Sequence, residues 1–189
     1  MRRIVLVVCV LMLAGNVLAD DLCEFKGIPF GTDKAEVLSR LGYTDDHKDK
    51  NRFYVFKYNV SDRPTSLTLN FDNSGSFFGF TIRFEKYTAN KIEYDVNQDV
   101  AFISAAFKNK YGAPTKSLDF KMSDIIFKEG NQIRDEWDNN VCVARTSIGH
   151  YNSEFFAQAD VLESKLFRDF MADRRAKKAT SAKKAAKDF

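Results

Sequence analysis

The chain is poor in the residues that most often carry chemistry. Its 189 residues include two histidines, His47 and His150, and three cysteines. No cysteines are spaced C-x-x-C and no histidine lies near Cys23 or Cys142 in sequence, which argues against a redox or metal-binding thiol. No serine stands in G-x-S-x-G, so the nucleophile elbow is excluded. No glycine-rich run ends in Lys-Ser/Thr, so a phosphate loop is excluded too. Beyond the first 19 residues no stretch is apolar enough to cross a membrane, which takes about 20 apolar residues.

The N-terminus is the exception to this lack of long apolar runs. Arg2 and Arg3 precede an unbroken apolar stretch from Ile4 to Ala14, and Val17-Leu18-Ala19 offers a small-residue cleavage site before Asp20. This is the pattern of an export signal, with an uncleaved N-terminal anchor as the alternative. Cys9 lies inside the apolar core and Cys23 follows Asp20-Asp21-Leu22, so neither is placed for lipid attachment. The reading is a signal peptide at 1–19 and a periplasmic or secreted mature protein. In an oxidising compartment the remaining pair, Cys23 and Cys142, is expected to form a disulfide. It would close a loop of over 100 residues, which constrains the unfolded chain by about 4–5 kcal/mol in the chain-entropy picture.

What the chain does have is aromatic mass. It is 44% apolar, with 18 Phe and 7 Tyr, enough for a real core and against disorder. Large flat side chains suit a pleated sheet. Charge is unevenly spread. Residues 20–167 carry 19 basic and 23 acidic residues, a balance of −4, whereas 168–189 carry eight and three, a balance of +5. A faintly acidic body thus precedes a basic tail, and the body gives no support for nucleic-acid binding.

The stretch EFKGIPFGTDKAEVLSRLG, residues 24–42, reads as strand–turn–helix punctuation. Pro29 holds Ile28 extended, Gly27 and Gly31 permit tight backbone, Asp33 (or Thr32) caps a helix with Glu36 completing a capping box, and Gly42 ends it. Val37, Leu38 and Leu41 form its buried stripe. Strands follow at Arg52–Asn59, Thr65–Phe71 and Ser76–Lys86, the last two joined by an Asp72-Asn73-Ser74-Gly75 turn. Leu67, Leu69 and Phe71 share one face of the first, opposite Ser66, Thr68 and Asn70; Phe78, Phe80, Ile82 and Phe84 share one face of the second. Val96, Val100, Ile103, Phe107 and Tyr111 at helical spacing predict a helix from about Glu93 to Tyr111, ended by Gly112 and Pro114. Short strands are then expected at Ser117–Lys121, Asp124–Glu129, Gln132–Asp138, Val141–Ser147 and Glu154–Asp160, with Gly130-Asn131 and Asn139-Asn140 as turns and His150 in a hairpin loop. Val161, Leu162, Leu166, Phe167, Phe170 and Met171 give the last segment an apolar stripe that docks on the body. Beyond Ala172 a frayed helix or disordered tail is expected.

These pieces predict an α+β fold: antiparallel sheet or sheets with helices packed on one face. The order helix–Gly–meander occurs twice, giving two related α-then-β units, 20–90 and 91–167, side by side or in one sheet, before a Lys/Ala-rich tail at 168–189. Candidate chemistry is sparse. Asp45, Asp46 and His47 lie in a polar loop, but adjacent residues point apart and no second ligand group is spaced to help. Cys142 with His150 could form a thiol–imidazole pair, but the disulfide claims the same sulfur. Asp135, Glu136 and Asp138 flank Trp137; in a strand Asp135 and Trp137 share one face, Glu136 and Asp138 the other. The tail's Arg174, Arg175, Lys177, Lys178, Lys183, Lys184 and Lys187 are candidates for contact with an anionic surface.

The motif Phe25-x-Gly27-Ile28-Pro29-Phe30-Gly31, followed by a short helix ending Leu41-Gly42, resembles the opening of many uncharacterised exported bacterial proteins. Lys110-Tyr111-Gly112-Ala113-Pro114, Glu136-Trp137 in a strand and the Lys/Ala-rich end are similar as well. The resemblance implies a structural pattern and no known activity. By element order alone the chain is also similar to the small outer-membrane-assembly lipoprotein fold and to tandem β-lactamase-inhibitor-type domains, although it lacks the former's lipid-anchor cysteine. The expected function is a non-catalytic periplasmic or secreted binding or envelope-assembly module without a cofactor, whose partner is an envelope protein, a polymer or a small ligand. The alternative is an envelope-polymer hydrolase using the carboxylates near Trp137.

Overall fold

The computed structural model describes residues 23–44, 53–119 and 122–185. The expected export signal, the Asp45-Asp46-His47 loop and Lys187 fall outside them. A short antiparallel ribbon, β1 (Glu24–Phe25) and β2 (Ile28–Pro29), leads into α1 (Lys34–Leu41). Strands β3 (Phe53–Val60), β4 (Arg63–Phe71) and β5 (Phe77–Phe84) form a meander. A 3₁₀ turn at Ala89–Lys91 and a π turn at Ile92–Val96 open onto α2 (Asn97–Tyr111). Then come β6 (Lys116–Ser117), α3 (Met122–Phe127), β7 (Gly130–Asp138), β8 (Cys142–Tyr151), β9 (Glu154–Glu163) and α4 (Ser164–Ala185).

The fold is α+β. One seven-stranded sheet runs β3-β4-β5-β9-β8-β7-β6 with every neighbouring pair antiparallel. The two meanders therefore share one sheet, joined where β5 pairs with β9 and Phe80 lies opposite Val161. One face carries the core. Leu67, Leu69, Phe80, Val161 and Ala144 pack under the opening ribbon and α1 through Phe25, Ile28, Val37 and Leu38. Farther along, Phe84, Ile148, Phe155 and Ala157 pack under α2 and α3 through Val100, Ile103 and Ile125. Sequence spacing at i, i+4, i+7 put Val96, Val100 and Ile103 on one stripe, and all three are buried.

The opening motif behaves as punctuation. Asp33 is extended and its Oδ1 accepts from the Ala35 N–H at 2.8 Å; Gly42 closes α1 in the left-handed region at φ 71°. Glu36 lies 3.6 Å from Arg40, one turn on. Gly31 N–H donates to Phe77 O and Phe77 N–H to Thr32 O, tying the motif to the start of β5. Cys23 and Cys142 are bonded, with Cα atoms 5.6 Å apart, so the ribbon is also fastened to the start of β8.

Several expectations change. The register slips between Asn70 and Phe71, where Phe71 pairs with Phe77 after Asn70 pairs with Gly79. This bulge inserts one residue and reverses the alternation. Phe77 takes the core face, against Phe30 and Phe71, and Phe78 turns to the opposite face, against Phe167 and Phe170 of α4. Asp124–Glu129 is not a strand: α3 occupies it, with Ile125 buried and Phe127 83% exposed. A short apolar run fits either state by pattern alone. Gly130 and Asn131 begin β7 rather than form a turn, and Val161 and Leu162 belong to β9 rather than to the final helix stripe. His150 lies in β8, and the hairpin turn is at Asn152 and Ser153, both at positive φ. The basic segment belongs to α4, helical through Ala185, whose Asp173 accepts from Asn73 Nδ2 at 2.6 Å. No helix among the described residues is long and apolar enough to cross a membrane.

Candidate functional site

Helices α1, α2 and α3 all pack on one face of the sheet. The central strands present polar residues on the other. Alternation dictates this: with Phe80, Ile82 and Phe84 turned inward, Thr81 and Arg83 of β5 point outward, as do Gln158 and Asp160 of β9 and Arg145 and Ser147 of β8. Register places one polar rung across six of the seven strands. Thr68 pairs with Thr81, Thr81 with Asp160, Asp160 with Arg145, Arg145 with Glu136, and Glu136 with Lys116. From Asp160 onward the charges alternate in sign, the favourable arrangement for directly opposite residues.

Asp160 is the hub. Thr81 Oγ1 donates to its Oδ1 at 2.7 Å and Gln158 Nε2 to its Oδ2 at 2.7 Å. Gln158 Oε1 in turn accepts from Arg83 Nε at 3.2 Å and Nη2 at 3.0 Å. Arg145 Nε donates to Glu136 Oε2 at 2.6 Å. Burial raises the Asp160 carboxyl above the usual carboxylate range, against the pull of its two hydrogen bonds and of Arg83 and Arg145. Burial likewise lowers the Arg83 guanidinium from its ordinary value, opposed by Asp160 and Tyr151.

An aromatic pad continues the network. The Arg83 guanidinium lies 4.3 Å from the centre of the Phe156 ring, a cation–π contact. Tyr151, 47% exposed, stacks parallel to the same ring with centroids 6.1 Å apart. Phe156 can lie flat on the sheet because its partner across the strands is Gly149. The arrangement holds Arg83, Arg145 and Tyr151 in fixed positions. It contains no activated nucleophile: both Asp160 oxygens are already accepting, and Ser147 Oγ is buried without a hydrogen-bond partner.

The carboxylates flanking Trp137 do not converge. Trp137 is in the core, edge-on to Phe107, with Nε1 donating to Gly112 O at 2.9 Å. Asp135 is buried beside it and accepts from the Ser117 hydroxyl. Glu136 points the other way to Arg145, and Asp138 Oδ1 accepts the Asn140 N–H of the next turn. Cys142 is in the disulfide and His150 stands eight residues farther along β8, roughly 27 Å at strand rise, so a thiol–imidazole pair does not form. His150 stacks on Phe155 at 4.2 Å. Arg174, Arg175, Lys177, Lys178, Lys183 and Lys184 lie in α4, with Arg175 exposed. Sequence reasoning had marked Ser66, Thr68 and Asn70 as a polar side but stopped there. The same alternation in β5, β8 and β9 carried the signal for the rest; their pairing order did not follow from it.

No protein-family model and no curated protein matches this sequence. Among solved structures, a DUF4309 family protein (YjgB) from Bacillus subtilis is similar over 78% of this chain and 93% of that one, with 11% identity and a TM-score of 0.45.

Proposed function

We propose that this is an exported, non-catalytic binding module that engages a protein of the cell envelope through the polar face of β5, β9 and β8. The observation that supports it best is the hydrogen-bonded hub at Asp160, which fixes Arg83, Gln158 and Thr81 on the sheet face opposite α1, α2 and α3. Arginine and tyrosine, the side chains displayed here with Arg145 and Tyr151, are enriched among residues that dominate binding energy. Positions already ordered in the free protein lower the entropic cost of docking. The basic α4 segment adds a weaker contact with anionic surfaces, at about 1 kcal/mol per basic residue near a charged membrane.

Mature protein immobilised as wild type and as the Arg145→Glu/Tyr151→Ala double variant tests this against periplasmic extract. A protein retained by the wild type and lost by the variant, and which on binding protects Tyr151 from hydroxyl-radical labelling, supports the reading. Equal retention by both, or retention without protection, refutes it. Mass spectrometry of the exported chain is expected to begin near Asp20.

A further inference from the structure

The two ends of the seven-stranded sheet differ. At one end β6 is two residues long. At the other end β3 is eight residues long, and all of them stand in register with β4 without a bulge. Ser61 and Asp62 join these strands, both at positive φ, the pattern of a type I′ hairpin turn. Thr65 Oγ1 donates to Tyr58 O at 2.9 Å, so the Tyr58 carbonyl faces β4. In an antiparallel ladder, alternate residues direct their N–H and C=O groups to opposite sides. Val55, Lys57 and Asn59 therefore direct theirs away from β4. Among the described residues no backbone group meets them there.

Edge strands are commonly blunted by proline, charge, a bulge or shortness. The strand FYVFKYNV has Lys57 and none of the other devices. Its side chains sort by face. Val55, Lys57 and Asn59 are exposed, and Lys57 lies in the rung that continues through Ser66 to Arg83. Phe56 and Tyr58 turn to the core side, where Tyr43 stacks on Phe56 with centroids 3.7 Å apart. Lys26, at the tip of the opening ribbon, places Nζ 4.8 Å from the Tyr58 ring centre. The edge thus carries a cation on each face and no carboxylate of its own. Among the described residues neither Lys26 nor Lys57 has an ion-pair partner.

We propose that the free edge of β3 docks an extended acidic segment of a partner protein, which joins the sheet as a further antiparallel strand. Strand addition of this kind draws affinity from main-chain hydrogen bonds and specificity from alternate side chains. Charge decides between this occupant and a second copy of the chain. Paired with itself, β3 sets Lys57 opposite another residue of β3, and none of these is acidic. A carboxylate at that place forms a favourable cross-strand pair instead. The residues between the acidic ones are apolar, since they extend the face made by Phe56 and Tyr58. This edge is separate from the Asp160 hub and does not depend on the role given to it.

Fluorescence anisotropy of a labelled, end-capped (Val-Glu)4 peptide with the full mature chain tests the proposal, with (Val-Lys)4 as the opposed probe. The acidic peptide is expected to bind at one saturable site and to slow hydrogen exchange at the Val55, Lys57 and Asn59 amides. The basic peptide should bind about tenfold more weakly. Lys57→Glu should weaken the acidic peptide about tenfold, as an attraction becomes a repulsion, while Lys108→Glu, on the exposed side of α2, leaves it unchanged. Lys57 is exposed, so its variant should keep the wild-type melting midpoint, which verifies folding. Two N-methylated peptides separate strand addition from plain charge attraction without altering the protein. Opposite Lys57 the added strand turns its glutamate N–H groups toward β3 and its valine N–H groups away. Methylation at the glutamate nitrogens should abolish binding, and methylation at the valine nitrogens should spare it. Failure of the acidic peptide to saturate, equal binding of the basic one, undiminished binding by Lys57→Glu, or methylation effects that are equal or reversed would each overturn the proposal. So would a dimer of the chain alone, seen by sedimentation, that protects the same three amides, since a second copy would then hold the edge.

Discussion

A methyl group on Gly149 would come within 2.1 Å of the Phe156 ring, and one on Gly79 within 2.4 Å of the Val161 carbonyl oxygen. The two clashes differ in kind. A ring can shift, although this one is buried under Arg83 and Tyr151; a carbonyl in the β5–β9 seam is fixed by the ladder. Gly79→Ala is therefore expected to lower stability more than Gly149→Ala. Overpacking costs about 1–3 kcal/mol, and thermal melts should show both losses in that order. The reverse order would mean that the seam yields more readily than the aromatic pad. Tyr87 offers a second test at this scale. Its phenol is raised from about 10 to about 12, so the folded state holds the proton more tightly than the unfolded chain. The resulting stability is complete below about pH 10 and is lost as pH rises through about 12. In a tyrosinate absorbance titration, Tyr87→Phe should remove a late component with a midpoint near 12; removal of a component near 10 instead would contradict the buried contact with Asp99.

The elements were legible wherever a local cause set them. Asp33, Gly31 and Gly42 fix α1 by capping and left-handed backbone, and each needs only its immediate neighbours. The β4–β5 turn is equally local, with Asp72 Oδ1 accepting from the Ser74 and Ser76 N–H groups. What sequence could not show was non-local. The bulge opposite Phe71 sends Phe78 to the far face, because a strand's alternation breaks wherever its partner's count differs by one. The apolar run at Met122–Phe127 became α3 because Ile125 alone fills a place in the core beside Val100 and Ile103, a place defined by α2. The role of α4 follows from the same bulge. Its Phe167 and Phe170 cover Phe78, whereas Asp173, just beyond Ala172, makes an exposed hydrogen bond with Asn73. Truncation after Ala172 is expected to leave the melting midpoint nearly unchanged. Truncation after Glu163 uncovers Phe78 and should cost about 1.5–3 kcal/mol, the burial of one large side chain. Calorimetry of the two truncations separates them, and a large loss from the shorter deletion would place essential contacts in the basic segment.

At the scale of the whole molecule, the repeated helix-then-meander order suggested two units, and the sheet shows how they become one. The seam is β5 against β9, and Asp160 sits on it, taking Thr81 from the first half and lying opposite Arg145 in the second. The polar rung that forms the candidate site is therefore a product of association between the halves. Composition could not reveal it, since Thr68, Thr81, Asp160, Arg145, Glu136 and Lys116 come from six strands scattered along the chain. The sign of the Asp160 shift decides how this seam responds to pH. Its carboxyl is raised, with burial outweighing the hydrogen bonds and both arginines, so the folded state binds the proton more tightly than the unfolded chain. The contribution is fully present below the ordinary carboxylate pKa, near 4, and declines as pH rises through the raised folded value. Asp160→Asn removes the titration and leaves every other group in common. The stability of wild type relative to this variant should thus be greatest near pH 4 and shrink toward neutrality, as read from urea midpoints across that range. A gap that instead widens in favour of wild type with rising pH would show that Arg83 and Arg145 bind the ionised carboxylate strongly enough to overcome its burial, and the seam would then be held by charge rather than by the hydrogen bonds around a partly desolvated acid.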